Sequence, residues 1–472
     1  MASTTLKPNC QPKTEVIKTD CTVGQVLSAL RHETGRFALE SSCDTGGYGR
    51  YSLVGANPID DLQHYQHVVN PEDHDGFAAL EAAVTAVPHI ESGGLPFAGG
   101  WVGFIPYECG EAAVGIALSH SSAMRFALYD SVAIYDHKLR QWTVLAVDFP
   151  QSRSASDERL RAWRDRLAQA ADIPIASDLD EDRVGAAPIQ SNMSNDEYFE
   201  KVARAIEYIR AGDIYQVNLT QRFTVATEVD PLSLYLQLQR VNPADYSAYL
   251  GYEDQAILSA SPELFVHLGA DGSMITRPIK GTRPRIGDDD RMRDELRKSE
   301  KDRAELTMIV DLLRNDMGRV CQYGSIDVTD AAQIETHPTV HHLVGTIVGQ
   351  ANPGVTGIDV LRAMFPGGSI TGCPKTRAME IIRELEPTPR EAYCGAIGYL
   401  SADGSMNMNI AIRTMIHRHD RVHVYAGGAI TADSSHEDEY NESLSKAKGM
   451  FRALGIDDLD LTIKPIDPTR NQ

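Results

Sequence analysis

Hydrophobic and polar positions divide the chain into three zones. From residue 14 to 150, short apolar runs alternate with glycine turns, as in GGYGRYSLVGANP and GGLPFAGGWVGF, and predict a β-rich N-terminal domain. Residues 151–190 begin with one polar helix, QSRSASDERLRAWRDRLAQA, and continue as the acidic stretch DIPIASDLDEDRVGAAP, the expected linker. Residues 191–460 carry the densest pattern, strands and helices alternating irregularly, most tightly between Asn192 and Leu454. No internal repeat and no low-complexity tract interrupts it.

Several elements of the third zone follow from spacing. Ser194 with Glu197 makes a capping box, Tyr198, Val202, Ile206 and Ile209 recur at helical spacing, and Gly212 ends the helix. Tyr215, Val217 and Leu219 alternate with Gln216, Asn218 and Thr220, predicting a half-buried strand whose second face is polar. Met408, Ile410, Ile412 and Ile416 predict one face of a single strand, with Arg413 on the opposite face. Two strand-like runs flank Asp271-Gly272, a strong hairpin signal, and a turn at those two residues sets Glu263 across from Lys280.

Composition narrows the function classes. With 45 Lys plus Arg against 66 Asp plus Glu, the formal charge of the 472-residue chain is -21, which argues against nucleic acid as a partner. Any anionic substrate must be met by local cations that overcome this field. The 7 cysteines show no metal-binding spacing and read as free thiols of a reducing cytosol. No secretory signal opens the sequence, and its most apolar stretch, Gly93 to Tyr107, is broken by Gly and Pro. A cytoplasmic protein is expected.

Four constellations carry candidate chemistry, each with an ordinary structural alternative. Glu263 opposite Lys280 is a surface ion pair or, if buried, an acid beside an amine of lowered pKa. On the helix KDRAELTMIVDLLRND, Glu305 shares a stripe with Met308, Ile309 and Leu312, where it needs an Arg or Lys partner or a hard metal. In HEDEYNESLSKAKGMFRAL, Tyr440, Leu444, Ala447, Phe451 and Leu454 form the buried side. Glu439, Glu442 and Lys446 cluster off its centre, on a solvated face or toward a cleft. The loop FPGGSITGCPK supplies glycines before Pro374, expected as the first helical residue, and Lys375, an arrangement that favours an anion. Gly427 and Gly428 mark a second place where backbone can approach a ligand. His337, His341 and His342 lack a fourth ligand and do not suggest zinc.

These residues resemble the chorismate-utilising enzymes. The resemblance runs through GDIYQVNLTQRF, SPELF, RPIKGTRPR, DRAELTMIVDLLRNDMGRV, ETHPTVHHLVG, FPGGSITGCPKTRAMEIIRELEP, GYLSADGSMNMNIAIRT, AGGAITADSS and EYNES, in order, with FALESS, GRYSLVGANP and GGWVGF before them. It implies an α+β fold: a large antiparallel β-sandwich core with surrounding helices and a deep cleft. It further implies Mg²⁺ held by Glu305 and Glu442 with Glu439 close by. Chorismate would be bound by Tyr393, Arg413, Lys446 and the backbone of Gly427 and Gly428, with Ser369 and His342 beside its ring.

Within the family the nucleophile differs. Members that add water carry a lysine where this chain has Gln216, so ammonia is expected instead. Anthranilate-forming members usually read PIAGT where this chain has Pro278-Ile279-Lys280-Gly281-Thr282, and Lys280 marks the branch that makes 4-amino-4-deoxychorismate for p-aminobenzoate and folate synthesis. The implied mechanism has Glu263 protonate the departing C4 hydroxyl while Lys280 forms a covalent adduct at C2. Ammonia then displaces it by attack at C4, and the enolpyruvyl group is kept. The alternative is the anthranilate-forming reaction of tryptophan synthesis, and a non-catalytic chorismate or tryptophan sensor is the rival of another class. No glutaminase set of Cys, His and Glu is present, so a separate glutamine amidotransferase subunit is the expected partner. Cys373 departs from the family's usual Ala. Leu39, Glu40 and Ser41, after Ala38, resemble the segment that forms a tryptophan pocket in anthranilate synthases.

Overall fold

The computed structural model describes residues 11–41, 49–61, 77–116, 123–174, 188–285, 287–457 and 463–465. Cys10, Cys43, the first glycines of GGYGRYSLVGANP and most of the acidic connector lie outside the described residues. Among the described residues two sheets, of thirteen and ten strands, face each other, and their pairings are antiparallel except for Lys464–Pro465 beside Gln190–Ser191. The expected antiparallel sandwich with surrounding helices is therefore the fold. Strands from before residue 150 and after residue 190 mix in both sheets. Phe37–Glu40 pairs with Tyr246–Gly251 in the larger, and Gly100–Ile105 with Ala396–Ser401 in the smaller.

The larger sheet is buried on both faces, which explains why its strands read as continuous apolar runs. Phe37, Leu53, Leu250 and Ile257 join the core shared with the smaller sheet. Their neighbours Ala38, Val54, Tyr249 and Leu258 join a second core beneath helices. That second core takes Val26 and Leu27 from the helix Val23–Ala29, Trp163 and Leu167 from Ser156–Ala171, Tyr235 from Pro231–Val241 and Phe451 from His436–Ala453. Full burial of one such side chain contributes roughly 2–3 kcal/mol before the entropy of ordering it. The helix at the start of the expected linker is thus packed onto the sheet. Among the described residues, no helix is long and apolar enough to cross a membrane.

Local signals hold where a short-range interaction sets them. Ser194 and Glu197 cap the helix Asn195–Ala211 reciprocally, and Gly212 closes it with φ 85°. Three expectations need correction. Met406–Ile410 and Thr414–Arg418 are two strands in different sheets rather than one, and Arg413, with φ 49°, sits in the crossing between them. The hairpin pairs Leu264 with Arg277 and Leu268 with Met274 through a bulge, so Glu263 does not face Lys280 across it. Lys280 instead pairs with Leu343 of the strand Val340–Gln350. In the strand Gln216–Ala226, Gln216 and Gln221 are as buried as Val217 and Leu219, while Tyr215 stands outside it, 72% exposed.

Candidate active site

Two chain segments cross from one sheet to the other side by side. The first leaves Ala256–Ser261 in the larger sheet, passes Pro262 and Glu263, and enters Leu264–Leu268 in the smaller. The second runs the opposite way through Ala411, Ile412 and Arg413. Three hydrogen bonds join them: Ile410 N–H to the Glu263 carbonyl (3.0 Å), Ala260 N–H to the Arg413 carbonyl (3.1 Å), and Ser261 Oγ to the Ile410 carbonyl (2.5 Å). Glu263 and Arg413 consequently share one cleft. Arg413 reaches His342, with Nη2 3.4 Å from Nε2, and His342 Nδ1 lies 2.9 Å from Thr282 Oγ1. Because guanidinium only donates, Nε2 accepts and the neutral ring carries its proton on Nδ1. Burial, then Arg413, hold that ring well below the ordinary histidine range.

Lys280 enters from the strand Ile279–Pro284, and its Nζ lies 3.8 Å from Glu305 Oε2. Burial lowers the amine, Lys446 adds to the lowering, and Glu305, Glu263 and Glu442 oppose it. Glu305 stands on the helix Glu300–Met317, whose inward face is Leu306, Ile309, Val310, Leu313 and Met317. The expected stripe is therefore turned by about one residue, which leaves Glu305 half-buried at the edge of the cleft. Burial raises its carboxyl against the pull of Lys280 and Lys301.

The third wall is the helix His436–Ala453 against the strand Arg421–Ile430. A Cβ at Gly428 would lie 2.8 Å from Glu439 Oε2 and 3.4 Å from Glu442 Oε1, so only glycine lets both carboxylates come this close to the strand. Glu439 is buried rather than solvated. Its Oε1 accepts from Ser434 (2.6 Å), while Oε2 is enclosed without a hydrogen-bond partner. Burial raises the Glu439 carboxyl. For Glu442 burial is also the largest influence, but Lys446 at 2.7 Å and Lys280 reverse it and hold the group down. Lys446 also donates to the Gly427 carbonyl at 3.0 Å. Among the described residues no three His, Cys, Asp or Glu side chains converge as a ready-made metal site, and the feature that suits a hard divalent cation is the unsatisfied buried Oε2 of Glu439 next to Glu442.

Ser369 lies in the turn Gly368–Ile370, close enough to Glu263 to be the largest influence opposing burial at that carboxyl. Tyr393 stacks on Tyr425 with ring centroids 5.3 Å apart. Lys375 is not an anion ligand. Its ammonium is held by Asp316 Oδ2 (2.6 Å) and the Met364 carbonyl (2.8 Å), and Pro374 is the N-cap rather than the first helical residue. Leu39 and Glu40 line a separate cavity of about 490 Å³ between the sheets, together with Asp245, Tyr246, His267 and Asn407; Ser41 follows them, buried. Burial lifts the Glu40 carboxyl to about 7 even though Tyr235 donates to it at 3.0 Å. Sequence reasoning did not single out Thr282, Lys301 or Arg390, whose relevance comes only from what they touch.

Glu263 is 4% exposed, and burial lifts its carboxyl from 4.5 to about 7, with Ser369, Lys280, the Ile279 N–H and Arg413 pulling the other way. Folding therefore favours its neutral form, a contribution complete below pH 4.5 and lost as pH rises through about 7. Glu263→Gln, permanently neutral, is expected to gain thermal stability relative to the parent on going from near pH 5 to near pH 8. Parallel melting curves check this, and an unchanged difference in Tm would contradict it.

Comparison with known proteins places this geometry. The sequence profile of the chorismate binding enzyme family matches residues 35–452. Aminodeoxychorismate synthase component 1 of Salmonella typhimurium is 43% identical over 449 residues, covering 91% of this chain and 95% of that protein. Anthranilate synthase component 1 of Streptomyces coelicolor is 37% identical over 440 residues, covering 89% and 83%. The crystal structure of anthranilate synthase component I from Streptococcus pneumoniae superposes with a TM-score of 0.73 at 32% identity, covering 85% of this chain and 92% of that one. With the profile spanning most of its length and relatives similar almost end to end, the chain belongs to the chorismate binding enzyme family.

Proposed function

We propose that this protein is the chorismate-binding component 1 of an aminodeoxychorismate synthase, converting chorismate and ammonia to 4-amino-4-deoxychorismate. The observation that carries the reading is the half-buried Lys280 amine, lowered by desolvation and within electrostatic reach of the Glu263 carboxyl. An acid with a pKa of about 7 is half protonated at neutral pH and can give its proton to the leaving C4 hydroxyl, which departs as water. The lowered amine supplies a neutral nucleophile. Its lone pair forms the bond to C2 as the C1=C2 double bond moves to C1=C6, the C5=C6 double bond moves to C4=C5, and the C4–O bond breaks. Ammonia attacks C4, both ring double bonds shift back to C5=C6 and C1=C2, and the C2–N bond to Lys280 breaks. The surplus ammonia proton returns to Glu263.

Chorismate carries two carboxylates, and Arg413 and Lys446 are the cations suited to them. His342 and Ser369 would flank the ring, with the Gly427 and Gly428 backbone as a close wall and Tyr393 supporting it through its stack. Glu305 and Glu442 would hold Mg²⁺, with Glu439 beside them. The ion would neutralise and orient a substrate carboxylate. Ammonia would come from a separate glutaminase subunit, in keeping with the component naming of the relatives. The cavity beside Leu39, Glu40 and Ser41 would take an indole amino acid, although the Glu40 carboxyl is turned to Tyr235 on the other face of the sheet.

Chromatography after incubation with chorismate, ammonium and Mg²⁺ is expected to yield the 4-amino product without fluorescent anthranilate. Anthranilate as the main product would transfer the protein to the other branch, a reading its 37% identity to an anthranilate synthase keeps specific. Lys280→Ala and Glu263→Ala are each expected to lose roughly 100-fold or more in kcat, and normal turnover in both would remove the mechanism. Glu305→Ala is expected to abolish Mg²⁺-dependent turnover while circular dichroism stays unchanged. A magnesium titration matching the parent's would refute the metal assignment.

A further inference from the structure

Arg390 is 1% exposed, lies outside the cleft and is absent from the chemistry above. Its guanidinium is anchored on Glu386, Nε to Oε2 at 2.8 Å and Nη2 to Oε1 at 2.6 Å, and lies 4.5 Å over the ring of Tyr107. Glu108 fixes the same segment by accepting the backbone N–H groups of Arg390 (2.7 Å) and Glu391 (3.1 Å). A buried ion pair of this kind could serve stability alone. The destination of its remaining donors argues for more.

Nη1 donates to the Ile370 carbonyl at 2.9 Å and Nη2 to the Asn218 carbonyl at 3.0 Å. Asn218 in turn donates its side-chain amide to the Ser369 carbonyl at 2.8 Å and its backbone N–H to the Thr371 carbonyl at 2.8 Å. Three successive carbonyls, at residues 369, 370 and 371, are thus each gripped from two residues that also grip each other. The turn they belong to carries Ser369, the largest polar influence opposing burial at the Glu263 carboxyl. A planar fork is needed to reach a carboxylate and two carbonyls at once, and a lysine ammonium lacks that shape.

We propose that Arg390 and Asn218 form a positioning clamp for the proton-donating step, holding the Gly368–Ile370 turn so that the Ser369 side chain stays beside the Glu263 carboxyl. The clamp rests on the acid role assigned to Glu263 above. Neither residue transfers a proton itself. Each acts through Ser369, so its loss must mimic the loss of that side chain.

Two double-mutant cycles in the full chain test this, Asn218→Ala with Ser369→Ala and Arg390→Lys with Ser369→Ala, read as chorismate consumption so that the outcome is independent of which product forms. Each single variant is expected to lower kcat about ten-fold or more while KM for chorismate changes less than about three-fold, and each double variant to be no worse than its poorer single. Removing the Ser369 influence on the Glu263 carboxyl raises its pKa, so the alkaline fall in kcat should move to higher pH in all three single variants. Effects that multiply in the double variants, or an unmoved pH profile in folded Asn218→Ala and Arg390→Lys, would overturn the clamp. If Arg390→Lys melts below the assay temperature, the Asn218→Ala cycle decides alone.

Discussion

The two inter-sheet crossings are the constraint on which the site depends. Glu263 and Arg413 are 150 residues apart in the chain, yet backbone bonds from Ile410 to Glu263 and from Ala260 to Arg413 put them on adjacent strands of connection. A chain that leaves one sheet for the other cannot keep its ladder in either, so its backbone groups need partners of their own. Here each crossing serves the other. The left-handed conformation of Arg413 is part of that exchange and turns a cation away from the strand that its neighbours would otherwise continue.

Once the crossings have opened a cleft, a single physical effect prepares two groups for opposite tasks. Burial disfavours charge whatever its sign, so it raises Glu263 to about 7 and lowers Lys280. The same burial thus moves the acid toward its protonated form and the amine toward its uncharged one. Neighbouring carboxylates limit the effect on the amine, because Glu305, 3.8 Å away, and then Glu263 and Glu442 favour its ammonium form. A cation bound among those carboxylates would remove part of that opposition. Against a chain charge of -21, this balance is a local property.

The limits of sequence reading fall along the range of the interactions concerned. Ser194 with Glu197 and the Gly212 stop depend on residues a few positions apart, and both are where spacing predicts them. Glu439, Glu442 and Lys446 form one row of a helix, so their grouping was legible. That the row faces a glycine strand rather than water was not, because the strand it meets comes from elsewhere in the fold. The hairpin at Asp271-Gly272 was legible as an element, but its bulge shifted the register and sent Lys280 to a different partner strand. Arg390 had no sequence signal of its own in a Pro-rich loop.

The amino-acid sequence by itself determined the elements, their caps, the apolar runs of a doubly buried sheet and the motif order that marks the family. Side-chain pattern and local hydrogen bonding act over a few residues, and such information survives in one dimension. Only the tertiary structure decided that Glu263 meets Lys280 through a shared cleft instead of a shared hairpin, and that one strand-like run is two strands in two sheets. It also decided that Asn218 and Arg390 close on the same turn. Register, sheet assignment and burial are set by packing between distant segments, and the energy that fixes them is absent until those segments touch.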